Sequence, residues 1–272
     1  METLRVLTFN IWNRQGPWEE RLRLIRSGLA ELGADVVGLQ EVLHHDSAGP
    51  DQAEQIAEGM GYHTTFGAAW HLGGGLHFGN AVLSRFPVVA RNEWELPGEP
   101  GEEPRALLHV DLDAPPGRIP VFVTHLSWKL HHAHVRLRQV EFIADRVRDV
   151  APTDGFPPLL LGDFNAEPES DEIRFLRGHH VLNGKSVYFA DCFHVAGDGS
   201  PGYTFARRNP FALLAREPNR RLDYVFVRGP DRRLRGEPLA SRVVLDQAHD
   251  GVFPSDHFGV LAEIQAAPRK TH

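Results

Sequence analysis

The sequence has a single cysteine, Cys192, among 272 residues. One cysteine cannot form an intramolecular disulfide, which is typical of a protein from a reducing compartment, and no motif around it indicates a nucleophile. There is no run of about 18 apolar residues, the length that a membrane-spanning helix needs. The first residues also lack the charged and then apolar segments of a signal peptide. We therefore predict a cytoplasmic protein with no transmembrane segment.

Positive charge is also scarce, because 29 basic residues stand against 36 acidic ones and give a net charge of −7. Proteins dedicated to nucleic-acid binding need basic surface to displace counterions from phosphates, so this class is disfavoured. The net charge does not exclude a nucleic-acid-binding protein, since carboxylates that bind a metal ion are neutralised by that ion. Hydrophobic residues make up 42% of the chain, enough for a sizeable core. With no linker, we predict one domain over residues 1–265 and a short C-terminal tail at 266–272.

Strand and helix patterns alternate at the start of the chain. Residues 5–11 and 35–40 are β-rich, and each precedes a segment with helical spacing of apolar residues, at 18–32 and 51–60. Hairpins follow, then a long helix at about 133–149 and further strands. We predict an α/β fold. Two connections are predicted to be loops. The one at 70–75 is flexible and could border a site, and the one at 99–104 is solvent-exposed, with acids that are most simply explained as solvated surface.

Polar residues recur where these strands end or begin. Burying a carboxylate, amide or imidazole costs free energy unless the group is paired, so their recurrence beside apolar strands predicts a shared polar cleft. Taken singly, each has an ordinary reading as a cap, a turn, a salt bridge or a structural histidine. Six such motifs in one chain reverse that reading. The motif residues are Asn10, Glu41, His125, Asp163 with Asn165, Asp223, and Asp256 with His257.

The acidic residues suit a hard cation and an attacking water. Mg²⁺ prefers oxygen ligands and is held by one or two carboxylates while water and phosphate complete its octahedron. We predict Glu41 as the first ligand, with Asn10 and Asp256 adding or orienting further oxygens. Asp163 is placed to act as the general base, and its spacing from Asn165 would put both side chains on one side of an extended backbone.

The remaining motif residues suit the phosphate itself. Asn165 can donate to phosphate or orient the same water. His125 and His257, if protonated, could stabilise charge that develops on the phosphoryl oxygens. Asp223 would fix the tautomer of one of these histidines and raise its basicity.

The motifs occur in one order along the chain: Thr8-Phe9-Asn10, Leu39-Gln40-Glu41, Thr124-His125-Leu126, Gly162-Asp163-Phe164-Asn165, Arg221-Leu222-Asp223-Tyr224 and Ser255-Asp256-His257. In this set and order the chain resembles the endonuclease/exonuclease/phosphatase superfamily, which includes deoxyribonuclease-I-like nucleases, sphingomyelinases and inositol polyphosphate 5-phosphatases. The resemblance implies a four-layer α-β-β-α sandwich with two central mixed β-sheets. It also implies Mg²⁺ (or Mn²⁺) and in-line attack by water without a phosphoenzyme.

By the same resemblance, Glu41 is the metal ligand supported by Asn10, and Asp256 lies beside the metal. Asp163 activates the nucleophile, Asn165 and His125 bind the phosphate, and Asp223 orients His257. Some members of the superfamily have Tyr at the position of His125.

Substrate recognition is less constrained by the sequence. Residues 204–235 contain nine Arg, no Lys and three acids, a local balance of +6 that would suit an anionic substrate, although a solvated loop is equally compatible. From this segment we select Arg207 and Arg208 as candidate substrate-binding residues, together with Trp128 beyond His125 and Asn80. The three histidines at 131, 132 and 134 lack a further ligand at metal-binding spacing.

The leading hypothesis is a metal-dependent phosphodiesterase that acts on a small organic, nucleotide or phospholipid-headgroup diester. The alternatives are a nuclease, in which the arginine-rich segment would follow a nucleic-acid backbone, and a phosphomonoesterase. A binding-only module with an eroded site is disfavoured because every motif residue is present. The sequence does not predict the oligomeric state.

Overall fold

The structure is a computed structural model that describes residues 1–151 and 155–268. The strands in this part of the chain are β1 Thr3–Asn10, β2 Val36–His45, β3 His63–Gly73, β4 Leu76–Ser84, β5 Val88–Glu95, β6 Ala106–Ala114, β7 Gly117–His125, β8 Leu159–Asp163, β9 Ala190–Asp191, β10 Asp223–Val227, β11 Pro238–Val244 and β12 Gly259–Gln265. The helices are α1 Trp18–Leu32, α2 Gln52–Ala57, α3 Ala133–Val150, α4 Asp171–Leu176, α5 Cys192–Ala196 and α6 Pro210–Leu213.

The strands form two six-stranded mixed sheets. Sheet A has the order β11-β12-β1-β2-β4-β3, and sheet B has the order β5-β6-β7-β8-β10-β9. The pairs β1·β2 and β7·β8 are parallel, and the remaining pairs are antiparallel. Parallel strands end at the same edge of a sheet, so the carboxyl ends of β1 and β2 lie together, as do those of β7 and β8.

Three apolar layers hold the sheets and helices together. Between the sheets lie inward-facing side chains of both, including Val6, Val36, Val82, Val121, Val123 and Leu161. Ile25 and Leu29 of α1 and Ile56 of α2 cover the outer face of sheet A. Val140, Ile143 and Val147 of α3, with Ile173 of α4, cover the outer face of sheet B. The predicted four-layer α-β-β-α sandwich is confirmed.

The two sheets approach each other closely at Gly38 of β2. A Cβ atom there would lie 3.1 Å from both Val123 and Leu161 of sheet B. Because such a contact is tighter than ordinary packing, a larger residue would push the sheets apart. Gly38 lies three residues before Glu41, so the spacing of the sheets is set close to the predicted site.

Four local expectations were wrong. Residues 70–75 are not a flexible loop but the tip of the β3–β4 hairpin. The acids at 99–104 are not simply solvated, because Glu99, Glu102 and Glu103 form ion pairs with Arg138, Lys129 and Arg105. The second helix, expected over 51–60, covers only Gln52–Ala57, because the chain leaves the helix for a turn at 58–61. Ala266, assigned to the tail, is fully buried and donates its N–H to the carbonyl of Glu2.

The predicted tail otherwise lies mostly beyond the described residues, which end at 268. Within the described ranges, none of the helices combines the length and the apolar character needed to span a membrane.

Candidate active site

Asn10 and Asp163 join the two sheets. Asn10 ends β1 in sheet A, Asp163 ends β8 in sheet B, and the amide Nδ2 of Asn10 donates to Oδ2 of Asp163 at 3.1 Å. The same Nδ2 donates to Oε1 of Glu41 at 3.1 Å, while its Oδ1 accepts from the N–H of Trp12 at 2.9 Å. Asn10 is fully buried and therefore holds two carboxylates from different sheets at a fixed separation.

Glu41 does not end its strand, as the sequence suggested, but lies at a β-bulge within β2. The pairing of β2 with β4 shifts register between Leu39 and Val42, and Glu41 has a φ of 60°. A bulge adds a residue to one strand and redirects its side chain, and a left-handed backbone is uncommon for a residue other than glycine. The bulge turns the Glu41 carboxylate into the cavity, where Oε2 accepts from Nδ2 of Asn13 at 2.9 Å.

Asp163 and Asn165 reach the cavity through a tight turn. The N–H of Asn165 donates to Oδ1 of Asp163 at 2.9 Å, and Asn165 has a φ of 48°. The backbone is thus a left-handed turn, not the extended segment that we expected from the spacing. Gly162 is required before this turn, because a Cβ there would lie 2.2 Å from the carbonyl oxygen of Thr124.

Three N–H groups converge on one oxygen of Asp163. Besides Asn10, Nε2 of His125 lies 3.5 Å and Nε2 of His257 lies 3.7 Å from Oδ2. Asp163 is buried, and burial raises the pKa of its carboxyl to about 7; Asp223 adds to this rise, whereas His257 opposes it. A carboxyl group whose pKa lies near neutrality is suited to accept a proton from water.

His257 and Asp223 form a buried ion pair, with Nδ1 of His257 2.8 Å from Oδ2 of Asp223. Burial by itself lowers the pKa of His257, but the charges of Asp223 and Asp163 outweigh it and raise the pKa well above 6.5. His257 is therefore an imidazolium that donates through Nδ1 to Asp223 and presents its second N–H to Asp163.

His125 has the opposite protonation state. Its Nδ1 lies 3.1 Å from Nη1 of Arg105, and because a guanidinium can only donate, Nδ1 accepts and the ring proton lies on Nε2. Burial, with the nearby charges of Arg105 and His257, lowers the pKa of His125 well below 6.5. Of the two predicted imidazolium groups, only His257 carries the charge, and His125 is a neutral N–H donor.

Arg105 belongs to none of the sequence motifs, yet it is buried beside the site and also pairs with Glu103 at 3.0 Å. Arg21, likewise outside the motifs, is fully buried on α1. The guanidinium of Arg21 lies 5.1 Å from the centre of the Trp12 ring and 5.4 Å from that of Trp18. It donates to the carbonyls of Ile11, Trp12 and Asn13 at 2.5 to 3.4 Å.

These contacts hold a left-handed segment, since Trp12 and Asn13 have φ values of 54° and 36°. Arg21 thereby positions the amide of Asn13 that donates to Glu41. Burial lowers the pKa of Arg21 to about 10, so the guanidinium stays charged at neutral pH.

Asp256 brings a further carboxylate close to Glu41. Burial raises the pKa of Asp256 to about 6, with a contribution from the like charge of Glu41. The preceding residue, Ser255, donates from Oγ to the carbonyl of Asn10 at 2.7 Å, which ties the loop before β12 to the end of β1.

These groups line one cavity of about 750 Å³. Its polar floor is formed by the motif residues Glu41, His125, Asp163, Asn165, Asp256 and His257. Its walls carry aromatic side chains, among them Trp12, Trp70, Phe78, Trp128 and Phe205. Apolar walls around a few convergent polar groups are typical of a small-molecule site.

The four predicted substrate-binding residues separate into two groups. Trp128 lines the cavity and is 50% exposed. Asn80 is buried outside the lining and donates to the carbonyl of Ala106 at 3.1 Å. Arg207 and Arg208 also lie outside it: the guanidinium of Arg208 pairs with Asp246 at 2.5 Å and stacks on Phe258, and the N–H of Arg207 donates to Asn219.

Two sets of side chains could hold a metal ion. Asp163, Asp223 and His257 each offer one donor atom within 4.8 Å of the others. A protonated imidazole cannot ligate, however, and the proton on His257 serves the pair with Asp223. Glu41 and Asp256 are the second set: two nearby carboxylates of which one has a raised pKa carry excess negative charge that a cation would relieve.

Comparison with known proteins agrees with this geometry. The sequence profile of the Endonuclease/Exonuclease/phosphatase family matches residues 7–257. The uncharacterized protein YbhP of Escherichia coli K12 is 30% identical over 239 residues, which cover 83% of this chain and 85% of YbhP.

Two solved structures are similar over 97% of this chain. An endonuclease/exonuclease/phosphatase from Beutenbergia cavernae has 27% identity, a TM-score of 0.71 and 72% of its own chain covered. The human Nocturnin catalytic domain, solved with a bound sulfate anion, has 20% identity, a TM-score of 0.73 and 93% of its chain covered, which indicates a common fold. The chain belongs to the endonuclease/exonuclease/phosphatase family.

Proposed function

We propose that this protein is a divalent-metal-dependent phosphodiesterase that hydrolyses a small organic phosphodiester by in-line attack of water. Family membership supports the broader statement that it is a phosphoester hydrolase. The observation that carries the narrower proposal is the convergence of Asn10, His125 and His257 on one oxygen of Asp163. This arrangement surrounds a basic carboxylate with N–H donors at the position where water and phosphate would meet.

Glu41 and Asp256 are the side chains that we propose to hold Mg²⁺ (or Mn²⁺). Both are carboxylates, the ligand type that Mg²⁺ prefers, and both line the cavity. Asn10 positions Glu41 through its amide N–H, while its oxygen accepts from Trp12. When bound, the cation would polarise a phosphoryl oxygen and neutralise charge on it.

Side chains of the protein itself carry out proton transfer, phosphate binding and charge stabilisation. Asp163 takes a proton from the attacking water as the new bond to phosphorus forms and the ester bond opposite it breaks. His125, as a neutral donor, and Asn165 hold the phosphoryl oxygens. His257, kept protonated by Asp223, stabilises the negative charge that develops. The departing alkoxide takes up a proton from solvent.

The charges in the cavity favour a diester over the alternatives. The described lining residues include five carboxylates, at Glu41, Glu103, Asp163, Glu217 and Asp256, against two cationic side chains, Arg105 and the imidazolium of His257. A bound divalent cation would offset Glu41 and Asp256, which still leaves an excess of carboxylates. A monoester dianion carries one more negative charge than a diester, so this excess disfavours it more strongly.

A nucleic-acid strand is disfavoured for a related reason. The sequence left open whether the arginines of segment 204–235 contact an anion or are solvated. Four of the nine pair with acids of the protein: Arg208 with Asp246, Arg220 with Glu167 and Glu217, Arg221 with Asp191, and Arg235 with Asp231. A strand would need a continuous track of cations for its phosphates, and the charges of these four are already balanced within the protein.

The test is an assay of chelator-stripped protein before and after addition of Mg²⁺ or Mn²⁺. We expect restored hydrolysis of bis(p-nitrophenyl) phosphate, at least about tenfold slower release from p-nitrophenyl phosphate, and little nicking of plasmid DNA. The Asp163→Asn variant controls for a contaminating phosphatase. Full activity after chelation would contradict the metal mechanism, and efficient nicking would favour the nuclease alternative.

A further inference from the structure

The strands β2, β3 and β4 continue past the Glu41 bulge and carry apolar side chains on one face. Leu43 of β2 pairs with Phe78 of β4, and Phe78 pairs with Trp70 of β3, so the three form a row across the strands. Leu76 continues the same face because side chains alternate along a strand. Leu72 lies at an irregularity of the β3–β4 pairing and also lines the cavity. We call these five residues, Leu43, Trp70, Leu72, Leu76 and Phe78, the hairpin wall.

The opposite face of the same strands is polar. It carries His44, His71 and His77, and Nε2 of His77 lies 2.9 Å from Asp46. The hairpin is therefore apolar only on the face that lines the cavity. A contiguous apolar surface that is left partly exposed is typical of a ligand-binding groove.

The hairpin wall adjoins the groups that we assign to the phosphate. The ring of Phe78 lies 6.4 Å from that of His125, and the guanidinium of Arg105 lies 6.0 Å from the centre of the Phe78 ring. Across the cavity, the ring of Phe205 lies 5.0 Å from that of His257. A phosphate bound between His125 and His257 would thus place a substituent against an apolar surface.

The hairpin wall is incompletely covered by the protein itself. Leu72 is 41% exposed, and the other four residues are partly exposed. Apolar surface left in water is unfavourable, and covering it with an apolar ligand group is favourable. The nearest cation, Arg105, is paired with Glu103, so the hairpin wall has little attraction for a second phosphate.

We propose that the hairpin wall is the subsite for an uncharged, apolar ester substituent of the substrate, of the size of a ring or larger. This inference rests on the proposed function, because the subsite is defined relative to the phosphate-binding groups. It assigns substrate selection to the β3–β4 hairpin and not to the arginine-rich segment.

The test compares phosphodiesters that differ only in their substituents. Calorimetry in Mg²⁺ would measure the Kd of dimethyl, dibenzyl and dihexyl phosphate and of the dinucleotide thymidylyl-thymidine. We expect the dibenzyl or the dihexyl ester to bind at least about tenfold more tightly than the dimethyl ester. The tighter binder of these two esters would show whether the subsite prefers an aryl or an alkyl substituent.

Variants link the preference to the hairpin wall. Leu72→Ser and Trp70→Ala are expected to raise the Kd of the preferred apolar ester by about three- to tenfold and to leave that of dimethyl phosphate unchanged. Leu239→Ser, at an exposed apolar residue of the opposite edge strand β11, is the matched control and should change neither.

Two outcomes would overturn the inference. The first is equal affinity for the dimethyl and the larger apolar esters. The second is tighter binding of thymidylyl-thymidine that is lost in Trp70→Ala, which would make the hairpin wall a surface for stacking nucleobases. Failure of the proposed function would look different, because it would abolish hydrolysis of bis(p-nitrophenyl) phosphate without changing the order of these affinities.

Discussion

The guanidinium of Arg105 lies 3.1 Å from Nδ1 of His125 and so determines which nitrogen of that ring carries the proton. In the neutral ring, Nε2–H then faces Asp163 at 3.5 Å. The sequence separation between the two residues is only 20, yet they meet by way of neighbouring strands: Arg105 precedes β6 and His125 ends β7.

Replacing Arg105 with Gln should lower kcat by about 10- to 100-fold, the usual loss when a residue that orients a catalytic group is removed. The Gln amide can accept a hydrogen bond through its oxygen as well as donate one, so the tautomer of His125 would no longer be fixed. Nitrogen NMR of the ring is the direct measurement, and Arg118→Gln, at an exposed arginine of β7, is the control. An unchanged tautomer in the Arg105 variant would contradict this role.

Arg21 should matter for metal binding because it holds the segment from which Asn13 contacts Glu41. We expect Arg21→Met to weaken Mn²⁺ binding by about 10- to 100-fold, measured by calorimetry in the absence of substrate. Arg21→Lys should recover part of the affinity through its charge but not the several carbonyl contacts. Arg23→Met, at an exposed position of the same helix, should bind Mn²⁺ as the parent does.

Gly162→Ala should destabilise the fold by about 1–3 kcal/mol, since its Cβ would collide with the Thr124 carbonyl in the adjacent strand. Urea unfolding gives the free energy, and Gly98→Ala is the control because a Cβ at Gly98 meets no atom within 4 Å. A fully stable Gly162→Ala variant would mean that β7 and β8 can separate without cost.

His109 should make stability fall in mild acid. Burial lowers the pKa of His109 despite the nearby carboxylate of Asp111, while Arg118 lowers it further. Below the ordinary value of 6.5, the unfolded chain therefore takes up a proton that the folded protein resists, and stability is lost as the pH falls through the lower, folded-state pKa.

The measurement is the difference in Tm between pH 7 and pH 5. We expect a smaller difference in His109→Gln than in the parent, and no such change in His63→Gln, whose ring is exposed on β3. Equal differences in the parent and His109→Gln would contradict the assignment.

The fold class was predicted correctly from the sequence. The meeting of the motif residues in one place was also predicted, because each of them follows or precedes an apolar strand and such strands are recognised from the local pattern of residues. It did not predict the bulge at Glu41 or the left-handed turn at Asn165, since both depend on pairing with strands distant in the chain. Short motifs identify a residue type and its position but not the backbone angle that directs the side chain.

Buried arginines were missed for a different reason. Arginine is ordinarily an exposed residue, and its burial depends on carbonyls or imidazoles supplied by the tertiary structure. A signal was present for Arg21, which falls on the same helical face as Trp18, Ile25 and Leu29 and thus on the buried side of α1. For Arg105 the sequence signal was weaker, because it consisted only of a charged residue directly before an apolar strand.

The amide of Asn10 connects the two sheets, so the geometry of the proposed active site depends on both of them. A displacement of one sheet against the other by a fraction of an ångström would change the distance from Glu41 to Asp163 without touching either residue. The contact of Gly38 with Val123 and Leu161 therefore influences the geometry of the proposed active site from a distance. Adding or removing a methyl group at this contact is expected to change the rate of the proposed reaction.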